Sequence, residues 1–236
     1  MTVSIELFEE ANLEGKYLIT GFHGIGEVGY ISVRYLIEET KAKKIGMIVS
    51  PLTPPLISLD DKGNTQLPFE LFVHPEHPFA YLLIRFQPHP EEMREFTRAV
   101  ADFVQNRGIK GLVMLGGLDN NFRPEDDERG FRCVVANGFP FDEPPLIDAG
   151  LFISGGVAMM LIELHVKSTP SLTLFPYADR EKPDPKAAAK AIDIINDTFN
   201  TNIDTANLEQ EAKELEQEVN QILKQQVKEN QNHMYM

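Results

Sequence analysis

KYLITGFHGIGEVGYISVRYLIEET, residues 16–40, decides how this chain is read. Lys16 to Phe22 is a short, bounded apolar run with the character of a strand, and Gly21 to Gly29 follows it as a glycine-rich turn. From about Glu27 to Thr40, Val28, Ile31, Val33, Tyr35, Leu36 and Ile37 supply the broad apolar face of a helix. Lys44 to Val49 returns as a second strand. A strand-turn-helix-strand unit predicts two parallel strands side by side, joined by a right-handed crossover, and hence an α/β protein.

Downstream, Pro51 to Ile57 and the Asp60 to Gly63 turn cannot continue a helix and are expected to form a loop or an excursion from the sheet. Phe69 to Val73 and Phe79 to Phe86 flank the proline-bounded His74 to Pro78, which predicts an antiparallel pair. Pro90 to Arg107 repeats apolar residues at helical spacing (Met93, Phe96, Val100, Phe103, Val104), and Gly108 closes it. Gly111 to Leu115 reads as a short buried strand, and Gly116-Gly117 behind it would let another backbone or a ligand come close.

The polar tract Asp119 to Arg129 is read as loop, and Phe131 to Ala136 and Ser171 to Phe175 as strands. Gly156 to Lys167 is apolar on nearly every side until Glu163, which predicts a largely buried helix. Asp184, as N-cap ahead of Pro185 and an alanine run, starts a helix through Asn196. The expected fold is a mixed, largely parallel sheet flanked by helices, a Rossmann-like three-layer sandwich over residues 1–203. A C-terminal helix over 204–231 and a mobile tail over 232–236 complete the expected organisation.

Thirty-six acidic against 22 basic residues give a net charge of -14, so a phosphate-binding surface would have to work against the overall field. Nucleic acid is therefore not an expected partner. Leu151 to Leu164 is too short to span a membrane and carries Gly155-Gly156 and Glu163, so no membrane association is expected. Met1 to Glu10 has neither the basic start nor the apolar core of a signal peptide. One cysteine, Cys133, inside a mostly apolar run, suits a reducing cytoplasm.

Gly24-Ile25-Gly26-Glu27-Val28-Gly29 has the G-x-G-x-x-G spacing that can hold a pyrophosphate at a helix N-terminus. A dinucleotide site would also want an acidic residue at the end of the next strand, which here ends in Val49-Ser50-Pro51, and Glu27 in the first turn would repel phosphate. Gly24, Gly26 and Gly29 are therefore read as a structural turn, with a nucleotide-binding protein or enzyme as the alternative. His74 and His77 lack the helix that would bring them to one metal, because Pro75 and Pro78 interrupt it. His23 and Glu27 could form an acid-base pair, but no nucleophile elbow or partner set accompanies them. Neither a catalytic set, a metal site nor a cofactor is expected.

Toward the C-terminus, Leu208, Ala212, Leu215, Val219 and Ile222 alternate four- and three-residue steps, a coiled-coil-like seam for packing on the same domain or on another subunit. The polar Glu229 to His233 then precede Met234-Tyr235-Met236. An apolar recess could take Met234, the Tyr235 ring could pack while its hydroxyl finds a partner, and a lysine could pair with the carboxylate of Met236.

Several ordered segments resemble the proteasome assembly chaperone family over roughly Lys16 to Val219. They are Tyr17 to Gly29 with its following helix, Gly111 to Gly117, Ile153 to Leu161, and Asp184 to Ala188. His23 and Ser154 stand where family members more usually carry proline or another small residue, so neither takes a family role. The resemblance implies an ATP-independent binding protein that engages the α subunits of the 20S proteasome, as assembly chaperone or activator. Several members of the family end in hydrophobic-Tyr-any, the pattern of Met234-Tyr235-Met236. A single short tail binds weakly, so a homo-oligomer presenting several tails is expected.

Overall fold

The computed structural model describes residues 2–60 and 62–212. In chain order the elements are β1 (Ser4–Leu7), β2 (Tyr17–Gly21), α1 (Val28–Glu39), β3 (Lys43–Val49), β4 (Ser58–Leu59), β5 (Thr65–Gln66), β6 (Phe69–Val73) and β7 (Phe79–Ile84). They continue with α2 (Met93–Asn106), β8 (Gly111–Leu115), β9 (Leu118–Asp119), β10 (Phe131–Ala136), α3 (Gly155–Val166), β11 (Ser171–Ala178) and α4 (Pro185–Phe199). The main sheet has the order β1-β3-β6-β7-β2-β8-β11-β10, with β9 beside β11, while β4 and β5 pair separately.

Strands β7, β2, β8 and β11 are parallel, and the pairings at both flanks, β1-β3-β6-β7 and β11-β10, are antiparallel. Every residue of β7, β8 and β11 is buried, as expected of parallel strands covered on both faces. Side chains alternate across the sheet. Thus Leu18 joins Phe96, Val100, Met160 and Leu164 under α2 and α3, whereas Ile19 joins Val28, Val33, Ile192 and Ile195 under α1 and α4. Helices on both faces make the three-layer α/β sandwich expected from the sequence.

Local chemistry explains the best-defined ends. Asp184 caps α4 by accepting the Ala187 N–H at 2.9 Å, with Pro185 in the first turn. This helix runs three residues past Asn196 because Phe199 packs its ring against Tyr17 and Phe79, with centroids 4.8 and 5.0 Å away.

Two expectations need correction. Strands β2 and β3 are parallel but not side by side: β7 takes the place next to β2, and β6 lies between β7 and β3. The tight β6–β7 hairpin inserts as a unit, so the crossover through α1 spans two strands. Helix α3 is not largely buried either. It covers the sheet with Gly156, Met160 and Leu164, and leaves Ile162 and Val166 51% and 73% exposed. Its one acidic residue, Glu163, turns inward instead, within 3.3 Å of Arg94 Nε and 3.5 Å of Arg98 Nε on α2. Strand β1 was not anticipated. It pairs along β3 from Ser4 opposite Val49 to Leu7 opposite Gly46.

The left flank of the sheet is held by a buried acid. Glu70, the second residue of β6 and fully buried, meets Lys44 Nζ from β3 at 2.5 Å and Arg85 Nε from the residue after β7 at 3.0 Å. Removing the carboxylate would leave two cations facing each other in a largely desolvated place. Glu70→Ala is expected to lower the unfolding free energy by about 3 kcal/mol or more, measured by urea denaturation.

Candidate functional site

All four segments that carry the family resemblance meet at the carboxyl ends of the parallel strands. The turn after β2 holds Gly24 and Gly26, the turn after β8 holds Gly116 and Gly117, α3 starts at Gly155, and α4 starts behind Asp184. Asp184 joins two of them, since its backbone N–H donates to Gly26 O at 2.8 Å and its carboxylate accepts the Asp179 N–H at 2.9 Å.

The three glycines of the G-x-G-x-x-G run meet different surroundings. A Cβ on Gly29 would lie 2.4 Å from Leu115 O and 2.7 Å from Phe22 O, so α1 begins in direct backbone contact with β8. Gly26 has φ +61°, and a Cβ there would come within 2.7 Å of the Ala178 Cβ. Gly24 is extended, and a Cβ there would meet nothing within 4 Å. On the other side of the turn, a Cβ on Gly117 would sit 2.2 Å from Ile25 O. The close approach anticipated at Gly116-Gly117 is thus made by the loop after β2.

Beside these turns lies a cleft of about 850 Å³. Phe22, Ile25, Phe175, Met93 and Met159 line it, with Phe152 at its rim. Leu52 and Pro54 line it as well, and a single carboxylate fixes the strap that carries them. Glu92 accepts the Leu52 N–H at 3.1 and 3.2 Å and a hydrogen bond from the Ser50 hydroxyl.

The loop is poorly suited to phosphate. Glu27, in left-handed conformation with φ 49°, caps α1 without a side-chain hydrogen bond, and its carboxylate lies 3.9 Å from His23 Nδ1. The His23 Nε2 is already within 2.9 Å of Arg85 O, and its ring stacks on Tyr30 at 4.6 Å. No Lys or Arg is among the described residues that line the cleft.

Other residues singled out from the sequence lie elsewhere. The rings of His74 and His77 meet edge-on at 5.0 Å, and among the described residues no group of three or more His, Cys, Asp or Glu could hold a metal ion. Cys133 is fully buried, and burial raises its thiol pKa to about 11. Leu208 and Ala212 are buried, with Leu208 in the core under α1 and α4 of its own chain. Leu215, Val219 and Ile222 of the seam, and Met234, Tyr235 and Met236, lie outside the described residues. Among the described residues no helix is long and apolar enough to cross a membrane. The cleft itself was not read from the sequence. Its only visible signals were Gly24 and Gly116-Gly117.

A model of the PAC2 family matches residues 18–223, and the chain belongs to that family. It is 24% identical over 235 residues to an uncharacterized protein of Methanocaldococcus jannaschii, covering 97% of this chain and 94% of the relative. Among solved structures it resembles Pyrococcus furiosus PbaA, an archaeal homolog of proteasome-assembly chaperone, with TM-score 0.79 and 18% identity over 97% of this chain and 95% of that one. It also resembles Pyrococcus furiosus PbaB, an archaeal proteasome activator, with TM-score 0.74 and 22% identity over 94% of this chain and 98% of that one. At these identities the likeness is one of fold, and it agrees with the resemblance drawn from the four sequence segments.

The glycine geometry separates two neighbours in the same motif. Gly29→Ala should lower the melting temperature, at a cost of about 1–3 kcal/mol or more, because its Cβ would press on backbone rather than on a side chain that can move. Gly24→Ala should melt within the error of the unmodified protein, by differential scanning calorimetry.

Proposed function

We propose that this chain is an ATP-independent, non-catalytic binding protein of the 20S proteasome, acting as assembly chaperone, activator or both. The observation that carries this reading is membership of the PAC2 family across residues 18–223, joined to a fold shared with PbaA and PbaB over nearly the whole chain. The described residues support it in one further respect. His23 and Glu27, the candidate acid-base pair, stand 3.9 Å apart, with the histidine committed to a backbone carbonyl and a stacked ring.

Docking on the α ring is assigned to Met234, Tyr235 and Met236. The recognition would place the methionine and the tyrosine ring in an apolar recess and set the Met236 carboxylate against a lysine of the partner. Burying those two side chains contributes roughly a few kcal/mol before the cost of ordering the tail, so one tail binds weakly. Several tails on one assembly gain ~10²- to 10⁴-fold in avidity when their spacing suits the ring. The proposed assembly is a homo-oligomer in the cytoplasm. With Leu208 and Ala212 packed on their own chain, subunit contacts fall to Leu215, Val219 and Ile222 or to the exposed row on α3.

The test is a surface-immobilised binding assay with mature core particles. Tyr235→Ala, and separately a few residues added after Met236, should each weaken binding at least about tenfold while leaving the melting temperature unchanged. The added residues test the carboxylate alone, because they keep both side chains and move the charge away. Unchanged affinity in both would remove the tail from the proposal. Multi-angle light scattering at micromolar concentration should give a mass of several protomers, and a strictly monomeric mass would count against the oligomer.

A further inference from the structure

We infer that the cleft at the carboxyl ends of the parallel strands is a binding site for an uncharged, predominantly apolar small molecule, a role separate from proteasome docking. Its place in the topology is the first argument. The chain leaves β2 through α1 toward β3 on one side of the sheet, and leaves β8 toward β11 through α3 on the other. The turns after β2 and β8 therefore part at a switch point, and open α/β sheets take their ligands in the crevice formed there. His23, Gly24 and Ile25 from one turn, and Gly116, Gly117 and Leu118 from the other, line the cleft.

The second argument is electrostatic. Asp, Glu, Lys and Arg make up 25% of the chain, yet none of them is among the described residues lining a cleft of about 850 Å³. The size is that of a small-molecule pocket, and the walls are aromatic and aliphatic. A phosphate or a carboxylate would find no Lys or Arg there, only the N-terminus of α3 and two imidazoles, which disfavours nucleotides and equally the chain's own terminal carboxylate. The polar side chains of the lining are uncharged amide, hydroxyl and imidazole groups: Gln87 and His23, both tied to backbone carbonyls, His89, and Ser154, which makes no capping hydrogen bond at the start of α3. They suit one or two hydrogen bonds on an otherwise apolar body.

Gly24 supplies the third argument, and it is independent of the others. Its neighbours in the motif are glycine because a Cβ would strike Leu115 O or because φ is positive. Gly24 has neither reason, since its φ is -167° and a Cβ would project into open space. It leaves bare backbone on the cleft wall, where a flat ring can lie against the peptide plane. Phe152, 96% exposed at the rim, is an apolar surface that such a ligand would cover.

The experiment titrates Nile red, an uncharged fluorophore, into the full-length protein, with AMP as the anionic comparison in a thermal-shift series. Saturable binding of Nile red with a rise in melting temperature is expected, and no shift with AMP. Gly24→Leu fills the open space, and Met159→Glu puts a carboxylate in the wall. Each should weaken Nile red at least about tenfold while the melting temperature without dye stays unchanged for Gly24→Leu. Absent or unsaturable binding overturns the inference. So does equal affinity in both variants, which would place the dye on the outer row of α3, or stabilisation by AMP alone. Dye released as protein concentration rises would mean that a second copy covers the cleft, and would also overturn it.

Discussion

Helix α1 touches the sheet backbone to backbone, and this contact sets the position of nearly everything at the carboxyl end. A Cβ on Gly21 would fall 2.5 Å from Gly29 Cα and 2.7 Å from Leu115 O, and one on Gly29 would fall 2.4 Å from the same oxygen. Two missing side chains let β2, the first turn of α1 and β8 close to a separation that no other residue pair permits. With α1 held there, the loop before it has to bulge over Gly117 and under α4, where Asp184 takes hold of Gly26 O. The cleft is the space left outside that bulge.

Against this centre the buried acids act as fasteners at the margins. Glu70 ties three strands of the antiparallel flank together through Lys44 and Arg85, and Glu163 ties α3 to α2 through Arg94 and Arg98. Each carboxylate is buried and pairs with two cations that keep more contact with water than it does. These pairs add a charged tie to neighbours that the backbone ladders and the apolar packing already bring together.

Much of the element pattern was legible because its causes are local. Bounded apolar runs marked β2, β6, β7, β8 and β10, and the Asp184-Pro185 pair marked the start of α4 through chemistry within four residues. Strand order was not legible, since the separation of β2 from β3 depends on a hairpin that inserts between them from 20 residues away in the chain. Strand β1 was hidden because only Ile5 and Leu7 of its four residues are large and apolar. The burial of α3 is not legible for a different reason: a helix apolar all round does not say which side faces the sheet. The cleft was not legible because its lining is gathered from segments scattered between Phe22 and Phe175, with Gly24 and Gly116-Gly117 as its only local signals.

That same uniform helix has a consequence for how the protein behaves among copies of itself. Ile162 and Val166, one turn apart on α3, hold a sticky row open to water on a molecule that carries a net charge of -14. Attraction through such a row acts only at contact, whereas repulsion between the acidic bodies reaches about 10 Å at 0.1 M salt and shrinks to about 3 Å at 1 M. Ionic strength therefore sets how often two molecules come close enough for the rows to meet. At low ionic strength the repulsion makes such encounters rarer, and added salt makes the same surface more adhesive without any change in the fold.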